Sequence, residues 1–477
     1  CFACWKVFRK ALQNISDFEC RDFGVPDVHR RSVEELLLGE SQRYSLNALI
    51  AQIDGKRFPR LVLTKRKENF TMPSILLLPN RMEKTVLVNL NISNDSNFEA
   101  DSGYVFQKLL WTHMCQQRQN LRVLFLGHRL NTQQWHQHIT MVPFHDKYDK
   151  FSTRFNFDWH GLRDRFENLP EIDLIYNNQP ESTLNFKMLF SAMYGKEVPA
   201  VSYYHYLPFH YGEEGIEWDP SQNLHGFSAP AILDRNLEAL QVSEVGFVGS
   251  EFGKGILQRA LRERYQRVLC ENLRVFSPPI EPELFTRESA ANSHPRILYN
   301  QRLYKHYGTD RVIEAVNNVS QERGVRFVVT DPTGERSFER DRLDPHVRQF
   351  REAFAAMPFV DRIHCATRAE YHALLSGVDL GIAPVKPSAL WSMAVADMLA
   401  VGTPVLCPNV GAFPELVPEN KELLFDANGS DLEEKIHAIL DKSSNSVLQE
   451  KYRSNVRRYS APEMAREMHE HLSPFLT

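Results

Sequence analysis

From about Met72 onward, short apolar runs rich in valine, isoleucine, leucine and tyrosine recur along the chain, each followed by turn residues and a stretch with helical spacing. Thr85–Asn89, Arg122–Gly127, Ile172–Tyr176, Ala200–Tyr204 and Val245–Val248 form a first set, with Val105–Gln116 a helical stretch between two of them. Runs this short and continuous predict strands buried on both faces, and their alternation with helices predicts a parallel α/β sheet. Regular structure then stops at Ser277-Pro278-Pro279-Ile280-Glu281-Pro282, because proline fixes φ and withdraws a backbone donor. A second set follows: Arg296–Tyr299, Arg326–Val329, Arg362–Cys365, Leu380–Ala383 and Pro404–Cys407, alternating with helical Asp310–Arg323 and Asp431–Leu440. The expected architecture is two Rossmann-like halves, residues 72–276 and 295–460, joined by a linker at 277–294. Residues 461–477 are expected to form a C-terminal helix placed to cross back to the first half, and one large α/β sheet is the alternative to two halves.

Composition narrows the partners. With 477 residues, 43% of them hydrophobic, the chain is long enough for two or three domains. Its formal charge of −4, from 56 basic and 60 acidic side chains, creates no chain-wide basic field, so any contact with nucleic acid or an anionic membrane has to be local. Seven cysteines, odd in number and unevenly spread, argue against a secreted disulfide framework and for a reducing, cytoplasmic setting. No apolar run reaches the roughly 18–20 residues that span a bilayer, and the first residues lack the basic-then-apolar order of a signal peptide.

The first 71 residues differ from the rest: they hold 13 Lys and Arg against 9 Asp and Glu, and three of the cysteines, as an N-terminal appendage would. Asp54-Gly55 before Arg60–Lys65 predicts a turn into a strand, and Ser32–Leu38 a helix capped by Ser32. Cys1-x2-Cys4-x15-Cys20-x8-His29 could supply four ligands to a structural zinc, or Cys4 could be core in a helix over Ala3–Leu12. Lys65-Arg66-Lys67 and Arg30-Arg31 could contact the phosphates of a polynucleotide, or form a solvated charged face.

In open parallel sheets ligands collect outside the carboxyl ends of the strands, so two facing halves predict a site in the cleft between them. The segment Asn300–Gly308 follows a strand and precedes a helix, and its Arg302 and Lys305 suit a diphosphate, unless they are incidental charges on a solvated loop. The stretch Phe209–Asp219, with His210 and Trp218, predicts a surface loop whose aromatic faces could stack on a sugar or a base.

These residues also carry a family resemblance. Arg302-Leu303 with Gly308, then Val378–Pro384, Gly402-Thr403-Pro404-Val405 and Gly411–Val417, resemble in order the donor domain of retaining GT-B glycosyltransferases, a group that includes glycogen synthases and bacterial mannosyltransferases. Upstream, Gly249-Ser250-Glu251-Phe252 resembles the family's NSEF element and Pro278–Phe285 its linker. The resemblance implies an enzyme, a hexosyl- or pentosyltransferase, that moves a sugar from a nucleoside diphosphate sugar to a hydroxyl with retention of anomeric configuration and without a metal required in the cleft. It also implies that Arg302 and a nearby lysine, Lys305, neutralise the diphosphate, and that Trp391-Ser392 offer backbone N–H groups to the phosphates. His205 would lie on the loop near the reacting sugar, a position where a lone histidine can also be structural. Gly103, in the long polar loop Ser93–Gly103, would shape the acceptor side with His210 and Trp218. The family's paired glutamates fall here on Ala389 and Asp397, so Asp397 is expected to hold the ribose while the sugar contact is missing. Likewise the lysine that usually precedes Gly308 is Tyr307. Two alternatives remain: transfer to a hydroxylated base of a nucleic acid, suggested by the basic appendage, and a catalytically silent GT-B scaffold, suggested by Ala389 and Tyr307.

Overall fold

Valine and leucine alternate in β1 (Lys84–Asn89), which places Val86 and Val88 on one face and Leu87 on the other, all three fully buried. Val86 and Val88 join the core cluster that holds Phe106, Leu110, Trp111 and Met114 of helix α1 (Ser102–Gln117), while Leu87 joins that of Phe186, Leu189 and Phe190 of α2 (Thr183–Tyr194). One strand thus packs against a helical layer on each side. The computed structural model describes residues 83–90, 92, 98–145, 152–219, 228–266, 271–287, 292–330, 344–442 and 445–476. They belong to one compact unit, Asn80–Thr477. The expected turn, strand and helix of the first 71 residues, the zinc ligands Cys1, Cys4, Cys20 and His29, and the basic runs lie outside the described residues.

The first lobe continues through β2 (Leu121–His128), β3 (Ile139–His145), β4 (Leu174–Asn177), β5 (Ala200–Tyr204), the hairpin β6 (Phe209–Gly212) and β7 (Gly215–Trp218), α3 (Ala229–Val242), β8 (Val245–Val248), α4 (Glu251–Tyr265) and β9 (Leu273–Val275). Its main sheet has the order β3-β2-β1-β4-β5-β8-β9, parallel throughout. The second lobe contains β10 (Arg296–Tyr299), α5 (Thr309–Arg323), β11 (Arg326–Val329), α6 (His346–Ala356), β12 (Val360–Arg362), α7 (Arg368–Ser376), β13 (Leu380–Ile382), α8 (Met393–Ala400), β14 (Val405–Pro408), β15 (Leu424–Phe425), α9 (Leu432–Leu440) and α10 (Ser446–Val456), and α11 (Ala461–Leu472) ends the fold. Its sheet, β12-β11-β10-β13-β14-β15, is also parallel. In both sheets the order reverses direction beside the first strand, the point where doubly wound folds bind ligands.

The chain crosses between the lobes twice, and the crossings touch. Ile280 donates its N–H to the carbonyl of Tyr459 at 2.8 Å, and Ala461 donates back to the carbonyl of Ile280 at 2.8 Å. Beyond this bridge α11 lies against α1: Gln117 Nε2 donates to the Pro462 carbonyl at 2.9 Å, and Met464, Ala465, Met468 and Leu472 are fully or almost fully buried. Two expectations are corrected. Phe209–Asp219 is not a loop but an antiparallel hairpin, in which Phe209 faces Trp218 and Tyr211 faces Ile216, turning at Glu213-Glu214. The strand expected at Arg362–Cys365 runs instead over Val360–Arg362, with Asp361 at the sheet edge paired to Arg326.

Candidate active site

The carboxyl ends of the first lobe's strands meet the start of α1. Asp101 caps that helix: its Oδ1 accepts from the backbone N–H of Gly103 at 2.9 Å and of Tyr104 at 3.2 Å. His205, one residue past β5, is solvent-exposed, and its Nε2 lies 3.4 Å from Ser102 Oγ. A side chain on Gly103 would stand 3.9 Å from that same nitrogen, so the structure brings His205 and Gly103 together at the helix start.

Arg302 lies in the loop that follows β10 in the second lobe and is exposed. Loss of water to neighbouring atoms would loosen its proton, but the phenols of Tyr307 and Tyr304 and the carboxylate of Asp101 outweigh this and hold the guanidinium charged. Lys305 is exposed on the same segment, where its backbone N–H donates to Asp344 Oδ2 at 2.7 Å.

The remaining expected residues divide. Ser392 caps α8, its Oγ accepting from the Val395 N–H at 3.4 Å. Trp391 is committed to packing: its ring lies edge-on to Tyr459 at 4.9 Å, and its Cβ is 3.0 Å from where a side chain on Gly249 would begin. Ala389 is buried, and its carbonyl accepts from Ala412 at 3.0 Å. Asp397 is 2% exposed and already has a cation, since Arg368 reaches its Oδ2 at 3.4 Å. Arg368 also donates to Glu281 Oε1 at 2.9 Å, and His372 Nε2 lies 2.5 Å from Glu281 Oε2. Burial raises the pKa of Asp397, an effect that Arg368 and His372 only partly offset. Glu281 moves the other way: burial would raise it, but the contacts with His372 and Arg368 hold it below the usual carboxylate range. On the hairpin, His210 Nε2 faces Glu217 Oε2 at 3.2 Å, and Trp218 is 39% exposed.

Several contributors escaped the sequence reading because their signal is spatial. Asp101, Arg368 and Lys386 are ordinary charges in the sequence, and Glu415 lies in the Gly411–Val417 motif without a role assigned to it; only the fold gives them their partners. Glu415 closes the N-terminus of α4 across the lobes, accepting from the N–H of Glu251 at 2.9 Å and of Phe252 at 2.7 Å. Ser388 Oγ donates to Asp219 Oδ2 at 2.8 Å, a second buried tie between the lobes.

Among solved structures, the whole two-lobe arrangement is similar to sucrose-phosphate synthase from Thermosynechococcus elongatus, with a TM-score of 0.63, 14% identity and coverage of 82% of this chain and 99% of that one. The fold is GT-B. Also similar in fold is a glycosyltransferase from Rickettsia africae, with a TM-score of 0.56, 14% identity and coverage of 83% and 99%. Anabaena HepE in complex with UDP and glucose gives a TM-score of 0.56, 14% identity and coverage of 81% and 99%. Residues 294–442, nearly all of the GT-B second lobe, match the family described as glycosyl transferases group 1. No curated protein matches the chain in sequence. No helix among the described residues is long and apolar enough to cross a membrane.

Proposed function

We propose that this chain is a glycosyltransferase that moves a sugar from a nucleoside diphosphate sugar to a hydroxyl acceptor, with retention at the anomeric carbon. The observation that carries the reading is the GT-B arrangement with Arg302 in the loop after β10, at the switch point of the second lobe's sheet, and with His205 beside Ser102 and Gly103 at the carboxyl ends of the first lobe's strands. Arg302 neutralises the diphosphate, whose negative charge grows as it leaves, and the start of α8 at Trp391-Ser392 offers backbone N–H groups to it. Lys305 stands beside that route and adds positive potential. His205 donates to the sugar or to a developing oxyanion, with Gly103 leaving room for the acceptor beside it. His210 and Trp218 border the acceptor side, whereas Asp397, buried and engaged by Arg368, gives up its expected place on the ribose. The chemistry needs no metal in the cleft on this reading, and a cytoplasmic setting follows from the thiol content. UDP-sugars are the first donors to try, because HepE has been seen with UDP and glucose.

The test is incubation of the protein with UDP-, GDP- and ADP-sugars and a panel of hydroxyl acceptors, followed by mass spectrometry and by NMR of the anomeric proton. A retained glycoside supports the reading; an inverted one removes the retaining assignment, and no transfer or donor hydrolysis removes the enzyme. The burial of Ala389 and the commitment of Asp397 to Arg368 favour a second reading, a silent scaffold that binds nucleotide without turnover. That protein would bind a nucleoside diphosphate and release nothing from its sugar conjugates.

A further inference from the structure

Lys386 follows β13, the strand that pairs with β10 in the second lobe's sheet, whereas Arg302 follows β10 itself. The two loops therefore leave the sheet side by side at its switch point. They touch: Val385 donates its N–H to the Tyr307 carbonyl at 3.0 Å, and a side chain on Gly308 would stand 3.2 Å from Val385 Cγ2. The Lys386 ammonium is half-buried, 5.9 Å from the ring centre of Tyr307 and 5.9 Å from that of Tyr206 on the opposite lobe. Tyr307 also acts on Arg302, so the two cations share this phenol as a neighbour.

The turn that carries Lys386 is fixed from several directions. The Ala389 N–H closes it on the Lys386 carbonyl at 3.0 Å, and Ser388 ties it to Asp219. Gly411, at φ +60°, passes so close that a Cβ there would meet the Lys386 carbonyl at 3.0 Å. A lysine ordinarily loses about 1.5–2 kcal/mol of rotamer freedom when it is ordered, and aromatic rings on both sides with a rigid base reduce what a ligand must add. Lys305, by contrast, is exposed, with its backbone N–H bonded to Asp344 and no aromatic ring among the described residues against its ammonium.

We propose that Lys386 is the second cation of the diphosphate site, acting with Arg302 across Tyr307 from the neighbouring strand's loop. The inference rests on the nucleotide-sugar reading above and adds the residue that sets its phosphate specificity. Arg302 contributes a planar fork and Lys386 a point charge between the lobes, a combination that discriminates a diphosphate from an uncharged nucleoside.

The experiment titrates the full chain with UDP, GDP and ADP by calorimetry and follows the matching nucleosides by ligand-observed NMR. For the diphosphate that binds most tightly, Lys386→Gln is expected to weaken binding about tenfold or more and to leave the nucleoside unaffected, as loss of one charge-assisted contact requires. Lys386→Arg should stay within about threefold, because it keeps the charge. Equal losses for diphosphate and nucleoside would mean that Lys386 only holds the turn in shape, which overturns the proposal. So would unchanged diphosphate affinity in Lys386→Gln while Arg302→Ala loses it; that result leaves the nucleotide site standing. If wild-type protein binds none of the three diphosphates, both readings fall.

Discussion

His145 ends β3 and His205 follows β5 in the first lobe, and their surroundings give them different tasks. His205 is exposed beside Ser102 and Gly103, so His205→Ala should lower turnover more than donor affinity in steady-state kinetics on the sugar nucleotide identified above. Equal losses in both would assign it to donor binding. His145 Nε2 lies 2.6 Å from Asn89 Oδ1, while Asn89 Nδ2 donates to Asn177 Oδ1 at 2.8 Å; this orientation makes Nε2 the nitrogen that carries the proton. Burial, and secondarily His128, push its pKa down to about 4 from 6.5. An imidazole depressed in the folded state takes up a proton on unfolding, so stability from this site is complete above about 6.5 and lost as pH falls toward about 4. Urea midpoints should drop across that window, and His145→Asn should flatten the drop. Arg302→Ala should weaken nucleoside diphosphate binding by about 1–3 kcal/mol, read by calorimetry.

Which elements the sequence reveals follows from where each strand sits. The central strands, among them β1, β5, β8, β10 and β11, are continuous apolar runs because helices cover both faces, and they were legible almost to the residue. What was missed or displaced lies mostly at sheet edges. β3 contains Pro143, which argues against a strand but is tolerated where one side has no partner strand; β9 and β15 have three and two residues; β12 alternates with charge. The hairpin was obscured by its Glu213-Glu214 turn, since Gly215 alone supplies the positive φ, at +125°. The site was half legible for a similar reason. Loop residues next to strand ends, Arg302 and His205, can be placed from the sequence, whereas Lys386, Glu415 and Arg368 depend on which loops become neighbours. At the element scale the test is the cap on α4. A carboxylate on two N–H groups at a helix start is worth about 0.5–2 kcal/mol, so Glu415→Ala should lower the denaturant midpoint accordingly and Glu415→Gln by less.

Across the whole molecule, polar ties hold the lobes together at separate places: Glu415 on α4, Ser388 on Asp219, and the linker residue Glu281 on Arg368 and His372. The last is a buried ionic group, with Glu281 side chain 13%, Arg368 20% and Asp397 3% exposed. Removing one member strands charges that are largely shielded from water. Arg368→Met should therefore cost about 3–5 kcal/mol in equilibrium unfolding, and adding Asp397→Leu should recover much of it by removing one of the stranded carboxylates.

The paired crossings at Ile280 and Ser460 also bear on how a ribosome makes this protein. All seven strands of the first sheet have left the exit tunnel once Val275 has emerged, yet Leu110, Trp111 and Met114 of α1 share a core cluster with Met464, Met468 and Leu472, which are synthesised last. Translation of the intervening residues takes on the order of ten seconds or more at about 5–20 residues per second. Through that interval the nascent first lobe carries an uncovered apolar face, one that a chaperone can hold and that a premature stop codon before Ala461 would leave exposed for good.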